Sequence, residues 1–449
     1  MTKKFTLQSL GCAKNLMDAE QMLAKLFEAG YEYVHDPDEA DIAIINTCAF
    51  IEDAKKEGIE TILEIAECKK TGALVALVIT GCMAERYKEE VLKEIPEVDA
   101  LVGTASFLNI VDVCDRLLEG AEQGKMEKLA CFDDINTVLP ESPRMQTTPA
   151  YTSYLKIAEG CNNHCAYCVI PSLRGHYRSR KMEALLAEAR VLAENGVKEL
   201  IVIAQDITRY GIDLYGEHKL PQLLKELAAI DGIEWIRLHY LYPSDITDEL
   251  IDVIATEPKI LHYLDVPIQH CNDRILKAMN RRDTKASLED TIKRLRKRIP
   301  DLILRTSLIA GLPGETDEEF AELANFVEKQ KFDRLGVFPY SQEEGTPAAE
   351  MEGQVDEETK IKRVETLMKI QERVTAKRNV RALGTVRTVL VEGYDRMGGC
   401  FYGRSYGESP DIDGKVFFLK PNRRPNEGEF VQVRITEDLD GDLVGEMVE

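Results

Sequence analysis

No stretch of about 18 consecutive apolar residues occurs in this chain, which excludes a membrane-spanning helix. Its opening, Met1-Thr-Lys-Lys-Phe-Thr-Leu, lacks the apolar core and small-residue cleavage site of a secretory signal. A cytoplasmic protein without membrane contact is expected. Basic charge is also short: 57 Lys and Arg stand against 79 Asp and Glu, a formal net charge of -22. That balance disfavours a protein that grips nucleic acid by broad phosphate neutralisation, and it suits a basic partner or a small local basic patch. A disulfide framework is missing too. Eleven cysteines, an odd number, are spread over 449 residues, and in a reducing compartment they point to metal ligation or catalysis. With 44% hydrophobic and 30% charged residues, the chain is too balanced for disorder and too long for one ordinary core, so two or three domains are expected.

Three times in the first hundred residues an apolar strand runs into a cysteine and then into a helical pattern. The segments are Phe5-Thr-Leu-Gln-Ser-Leu-Gly-Cys12, Asp41-Ile-Ala-Ile-Ile-Asn-Thr-Cys48 and Leu74-Val-Ala-Leu-Val-Ile-Thr-Gly-Cys82. After Cys12, Leu16, Leu23, Leu26 and Phe27 fall at helical spacing and Gly30 supplies a stop. This βαβα order predicts a parallel sheet with covering helices over residues 1–120, with all three thiols at the carboxyl ends of strands, where open α/β sheets place their sites. Residues 121–149, ending in a Pro, Ser and Thr-containing stretch, read as a linker. A second series of six strands with intervening helices spans 150–379 and predicts an incomplete (β/α)6 barrel with its chemistry at the strands' carboxyl ends. It closes with a Lys, Glu and Arg-rich helix, roughly Glu357 to Asn379. From 380 to 449 short apolar runs alternate with Gly, Asp and Pro turns, which fits a small all-β barrel of the OB kind.

Cys161-Asn-Asn-His-Cys165-Ala-Tyr-Cys168 follows the first strand of the second series. Three thiolates at this spacing wrap one face of a 4Fe–4S cluster and leave the fourth iron without a protein ligand, free to bind a chelating molecule. The competing reading is a structural zinc site with His164 as fourth ligand, but such sites usually pair two CxxC knuckles and no second knuckle is near. Cys12, Cys48 and Cys82 could be ordinary buried thiols; against that, each follows Gly or Thr at a strand end. Cys114 shares a helical face with Val111, Leu117 and Leu118 and reads as core, while Cys68, Cys131, Cys271 and Cys400 have no partner pattern.

The segment from Leu155 through the cysteine triplet to Gly175-His-Tyr-Arg-Ser-Arg180 resembles the methylthiotransferase branch of radical S-adenosylmethionine (SAM) enzymes. The likeness continues through Gln205-Asp-Ile-Thr-Arg-Tyr-Gly211, Pro267-Ile-Gln-His270, Arg305-Thr-Ser-Leu-Ile-Ala-Gly-Leu-Pro-Gly-Glu315 and Tyr340-Ser-Gln-Glu-Glu-Gly-Thr346, and spans the whole chain. The resemblance implies an α/β enzyme in three parts: an amino-terminal cysteine domain, a radical-SAM barrel and a terminal TRAM-like barrel. It implies two 4Fe–4S clusters. The one on Cys161, Cys165 and Cys168 binds SAM and cleaves it to a deoxyadenosyl radical. The auxiliary one, on Cys12, Cys48 and Cys82, carries the sulfur to be transferred. One SAM methylates that sulfur, another supplies the radical, and a sulfur donor and a reduced electron donor are required. A monomer is expected.

Two substrate classes occur in this branch, a tRNA adenosine next to the anticodon and an aspartate side chain of small-subunit ribosomal protein S-twelve. The segments Ser9 to Glu20, Ile45 to Lys55 and Arg404 to Gly414 resemble the members that modify the ribosomal protein; Ala13, where many relatives have Pro, is a departure. An iron-sulfur electron carrier remains the reading from another class, although it needs neither an open iron nor a ligand pocket.

Strand-end polar residues are the candidate SAM contacts: Gln205, Asp206, His239, Gln269 and Arg305, with Tyr167 near the adenine. Each of the five strand-end residues has an equal reading as a structural polar group. Gly311 and Gly314 either let backbone approach the adenine or serve a turn. The runs Arg174 to Lys181 and Lys293 to Arg298 are candidate phosphate contacts, the second more simply a solvated helix face. The terminal barrel is expected to close and recognise substrate at the barrel mouth. From Val380 to Glu449 nine Lys and Arg face thirteen Asp and Glu, a net of -4. Glu408, Asp411 and Asp413 are therefore candidate docking residues for a basic ribosomal protein, or else plain loop decoration.

Overall fold

A computed structural model describes residues 2–419, 423–439 and 441–448. Lys420, one of the nine basic residues counted above, and the chain ends Met1 and Glu449 fall outside them.

The first sheet holds β1 (Lys4–Ser9), β2 (Glu32–Tyr33), β3 (Ile42–Thr47), β4 (Ala76–Gly81), β5 (Ala100–Val102) and β6 (Leu129–Cys131), all parallel, in the order β2-β1-β3-β4-β5-β6. Every residue of β3 and β4 is buried, as a parallel strand covered on both faces requires. The covering helices are α1 (Ala13–Glu28), α2 (Glu52–Thr71), α3 (Cys82–Tyr87), α4 (Glu89–Glu94) and α5 (Ile110–Glu122). Strand order reverses between β1 and β3, the switch point at which open sheets of this kind leave a crevice. Two expectations change. The sheet has six strands where three were read, the extra ones being too short to show a period. Leu129–Cys131, inside the stretch read as linker, is its edge strand, and Arg144 from the same stretch ion-pairs with Glu20 and Glu188.

The second sheet runs β7 (Thr152–Lys156), β10 (Glu199–Ile203), β11 (Trp235–Leu238), β12 (Ile260–Asp265), β13 (Ile303–Ala310) and β14 (Arg334–Pro339), again all parallel and in sequence order. A small antiparallel pair, β8 (Ala158–Glu159) and β9 (Arg178–Ser179), flanks the cysteine loop, in which α6 spans Ile170–Arg174. The sheet is not closed, so it forms the expected incomplete barrel. The basic helix spans Glu357–Ala382.

Five strands, β15 (Val386–Asp395), β16 (Cys400–Arg404), β17 (Val416–Leu419), β18 (Phe430–Leu439) and β19 (Asp442–Val448), form a closed barrel. It packs against the amino ends of the second sheet. Lys198 donates to the Gly428 carbonyl at 2.6 Å, and the rings of Trp235 and Phe430 lie 4.7 Å apart. From there the segment Arg404 to Asp413 runs up the sheet's inner face. Arg237 of β11 donates to the Tyr406 carbonyl, the Tyr263 hydroxyl donates to Asp413 at 2.7 Å, and Ser409 Oγ lies 2.9 Å from His239 Nε2. The body of the barrel thus packs at the amino end of the sheet rather than over its mouth, and only the segment Arg404 to Asp413 reaches on to His239, just after the carboxyl end of β11.

This placement overturns the docking expectation for Glu408 and Asp413. Glu408 is 1% exposed and faces Arg334 (3.0 Å), Arg387 (3.6 Å) and Arg378 (3.7 Å); burial raises its carboxyl, and the three guanidiniums reverse that. A basic partner cannot reach either side chain. Asp411 alone stays exposed.

Candidate functional site

Cys48 and Cys82 sit immediately after β3 and β4, and Cys12 three residues after the end of β1, on three adjacent strands. Two glycines make the approach possible. At Gly11 (φ +88) a Cβ would lie 2.6 Å from Cys48 Cβ and 3.1 Å from its sulfur; at Gly81 (φ +87) it would lie 2.3 Å from Asn46 Oδ1. No side chain larger than hydrogen fits either position. Asn15, in the first turn of α1, ties the strand ends together through its amide, which donates to the carbonyls of Leu10 (3.1 Å) and Thr47 (2.9 Å).

The second triplet lies beyond the carboxyl end of β7. Asn163 N–H points at Cys161 Sγ at 3.4 Å, and the Asn163 amide donates to Asp206 at 2.9 Å. His164 adopts φ +49, and its carbonyl accepts from Asn280 at 2.8 Å. Among the described residues no three of His, Cys, Asp and Glu converge closely enough to chelate one ion. A single tetrahedral zinc would hold its sulfurs roughly 3.8 Å apart, whereas a 4Fe–4S cube spreads them. The donor set of each triplet is three thiols and no carboxylate, which fits such a cube with one open iron. Burial pushes the Cys82 thiol up to about 12 and Cys161 up to about 11, and raises Cys48 and Cys168. As thiolate ligands they would need compensating positive charge, which the iron of a cluster would bring.

A buried ionic knot joins the two triplets. Arg174, at the end of α6, reaches across to Asn15 Oδ1 at 2.6 Å, to Asp18 at 2.6 Å and to within 3.7 Å of Cys82 Sγ. Lys156, at the end of β7, pairs with Asp18 (2.6 Å) and Glu159 (2.9 Å). Burial raises the Glu159 carboxyl, but Lys156 and Arg174 more than reverse this and hold it well below the usual range. A second clasp joins Lys55 (3.1 Å) and Arg86 (2.7 Å) of the first domain to Glu343, after β14. The carboxyl ends of the two sheets thereby face each other. Arg174 and Arg180 are occupied by these and other carboxylates, which corrects the phosphate reading at those two residues of the run; Arg294 and Arg298 lie on a solvated face paired with Asp248 and Asp252.

The candidate SAM contacts divide. Gln205 donates to Glu159 at 2.7 Å, while its Oε1 is buried without a donor and so is open to a ligand. The Tyr167 hydroxyl accepts from Arg281 at 3.3 Å beside Cys165 and Cys168. Gln269 adopts φ +68, bridging β13 through Ser307 and Ile309. Arg305 pairs with Asp265 at 2.6 Å. Asp206 is a brace, since it caps the turn at Thr208 and holds Asn163. His239 is 5% exposed, bonded to Ser409, and driven down to about 3 by burial and then by Arg237 and Arg305. The space above Gly311 is filled by Lys360 Cγ, 2.3 Å from where a Cβ would stand, and Glu315 accepts from Gly311 N–H, which supports the turn reading there. Cys114 and Cys271 are fully buried. Sequence reasoning missed Lys14, Asn15, Asp18, Lys156, Glu159 and Tyr240. Only the left-handed backbone of Tyr240 (φ +64) would have flagged one of them, and that is invisible in sequence.

The fold and the open-sided thiol loop define a radical-SAM transferase. A family described as Radical SAM superfamily matches residues 155–327, one described as uncharacterized protein family UPF0004 matches 4–103, and TRAM domain matches 383–448. The first brings with it SAM and a 4Fe–4S cluster. Ribosomal protein uS12 methylthiotransferase RimO of Lachnoclostridium phytofermentans is 52% identical over 97% of this chain and 98% of its own. That of Geobacter sulfurreducens is 52% identical over 99% of each. The chain belongs to this methylthiotransferase family. In fold it is similar to the radical-SAM methyltransferase TsrM of Kitasatospora setae, solved with cobalamin and a [4Fe-4S] cluster (TM-score 0.57, 14% identity, 78% of this chain and 77% of that one). It is also similar to the cobalamin-dependent enzyme OxsB (TM-score 0.52, 13% identity, 82% and 56%). No helix among the described residues is long and apolar enough to cross a membrane.

Proposed function

We propose that this chain replaces a hydrogen on the β-carbon of an aspartate in ribosomal protein uS12 by a methylthio group, in the cytoplasm and as a monomer. Cys161, Cys165 and Cys168 hold one 4Fe–4S cluster and Cys12, Cys48 and Cys82 a second. Residues 1–120 form the auxiliary-cluster domain, 150–379 the SAM-binding barrel, and 380–449 the sealing barrel. The observation that carries this reading is the pair of thiol triplets at the facing carboxyl ends of two parallel sheets, locked in register by Arg174. When bound, the clusters and SAM supply the electron, the hydrogen-abstracting radical and the sulfur. The chain's own residues position and exclude. Tyr167 flanks the adenine, the free Gln205 Oε1 accepts from SAM, and Arg305, held by Asp265, lines the mouth. The amino-terminal domain covers the mouth and keeps water from the radical.

Anaerobic reconstitution is expected to load about eight irons per chain. Replacing Cys161, Cys165 and Cys168 by Ala leaves about half and abolishes SAM cleavage; replacing Cys12, Cys48 and Cys82 leaves about half and abolishes methylthio transfer. With a sulfur donor, a reductant and SAM, intact mass spectrometry of uS12 reports one methylthio group. Stoichiometric zinc in place of iron, or methylthiolation of tRNA and not of uS12, overturns the reading.

A further inference from the structure

Eight Lys and Arg residues are buried among the described residues: Lys14, Lys156, Arg174, Arg237, Arg281, Lys360, Arg363 and Arg404. Seven of them have a carboxylate oxygen within 4.0 Å. Lys14 has none. It is 9% exposed, and its ammonium stands over the Tyr240 ring, 3.5 Å from the centroid. The ammonium thus has an aromatic face against it and no carboxylate in direct contact, although Cys12 and Glu159 act on it from farther off.

Its position is defined from both sides. Lys14 follows Cys12 by two residues at the start of α1, whose Ala13 and Met17 pack with Tyr154, Ile201, Ile203 and Tyr240 of the second domain. Cys12, Glu159, His239 and Asp265 are its electrostatic neighbours. The ammonium therefore lies beside Cys12 where the first turn of α1 meets β7, β10 and the residue Tyr240 that follows β11. Tyr240, beneath it, holds the left-handed backbone (φ +64) that non-glycine residues adopt at a cost and that recurs where a site needs it.

We infer that Lys14 is the receptor for the carboxylate of the substrate aspartate. The inference rests on the function proposed above and names what in this site selects an acidic side chain. A carboxylate on Lys14 fixes the carbon one bond away, so a single contact both recognises aspartate and places its β-carbon between the triplets. SAM also carries a carboxylate, and the test separates the two sources.

The reconstituted enzyme is assayed on uS12 and on uS12 with the target aspartate changed to Asn, using wild type, Lys14→Met and Lys14→Arg, with iron content measured for each. Wild type prefers aspartate. In Lys14→Met, kcat/KM for the aspartate substrate falls about 10- to 150-fold, the range for losing one hydrogen bond to a charged group. The Asp-over-Asn preference collapses with it, and Lys14→Arg restores most of the preference. A preference that survives in an iron-replete Lys14→Met enzyme overturns the inference. So does a raised KM for SAM with the preference intact, which assigns the ammonium to SAM. If Lys14→Met loads no iron, Lys14→Arg decides, and loss of preference in that iron-replete variant overturns the inference. Wild-type enzyme inactive on uS12 overturns the broader reading instead.

Discussion

Glu199, on β10, is wholly buried and is shared by two guanidiniums, Arg237 (2.9 Å) and Arg404 of the terminal barrel, with Thr152 Oγ1 at 3.1 Å. Burial alone would raise its carboxyl. Arg404 first, then Arg237, bring it down to about 2. Each tenfold change in proton affinity is worth ~1.4 kcal/mol, so a carboxyl held near that value instead of its ordinary ~4.3 is favoured as the anion by roughly 3 kcal/mol. Removing one partner of a buried pair costs about 3–5 kcal/mol by a separate route, the stranding of the other charge. Arg404→Met is therefore expected to weaken the seat of the terminal barrel by about 3 kcal/mol. Urea-dependent proteolysis of the segment Leu383 to Thr385, between the long helix and β15, reads the barrel's release. Because the cost is a stranded carboxylate, Glu199→Gln should relieve it: the double variant is less destabilised than the two single effects added, by at least about 2 kcal/mol. A single variant within about 0.5 kcal/mol of wild type, or strict additivity, would refute the reasoning.

Acid should release the same barrel. Unfolded His239 binds a proton below about 6.5 but folded His239 only near 3, and Glu199 shifts likewise from about 4.3 to about 2. In both cases the unfolded state binds more protons, so stability falls as pH drops through those windows. Protease susceptibility of the seat rises from pH 7 to 4, and His239→Asn flattens the part above about pH 4.5; an unchanged profile in that variant would count against the His239–Ser409 contact. Gly11→Ala, with its Cβ 2.6 Å from Cys48 Cβ, is expected to cut iron from about eight to about four per chain after reconstitution; full loading would show that the strand end can yield. Glu408→Lys places a fourth cation among Arg334, Arg378 and Arg387 and should cost more than about 4 kcal/mol in chemical denaturation. Asp411→Lys, at an exposed position, should stay within about 1 kcal/mol, and equal effects would return both residues to the surface.

What could be read without coordinates was what is local. Strand, glycine or threonine, cysteine and helix follow one another within about ten residues around Cys12, Cys48 and Cys82, and parallel strands bury both faces, so the apolar runs were plain and the thiols' place at the strand ends followed. Illegible were contacts made across the chain. Arg174 meets Asn15 over 159 positions, and Arg404 meets Glu199 over 205. Nothing in a local window distinguishes a guanidinium that will be buried from one that will be solvated. The same blindness put Glu408 on the surface. Strand β6 was missed because three residues cannot display a period of two against background.

The seam between the two sheets is built from charges where apolar side chains would hold at least as firmly. Asp18, Glu159, Lys156 and Arg174 balance in sign, and a neutral hydrophobic set of similar volume is often equally stable. Stability is therefore not what the knot adds. Each of its hydrogen bonds is directional, and Arg174 uses its planar fork on two domains at once, meeting Asp18 and Asn15 on one side and Glu159 on the other. Apolar contacts tolerate sliding by fractions of an ångström; this set does not. On the function proposed above, two clusters that serve one carbon from the facing triplets need that constraint, because a displacement of about 1 Å in a reacting geometry is costly in rate. The terminal barrel's ionic seat at the other end of the same sheet fixes the strands from below, so the mouth is held between two rigid clamps.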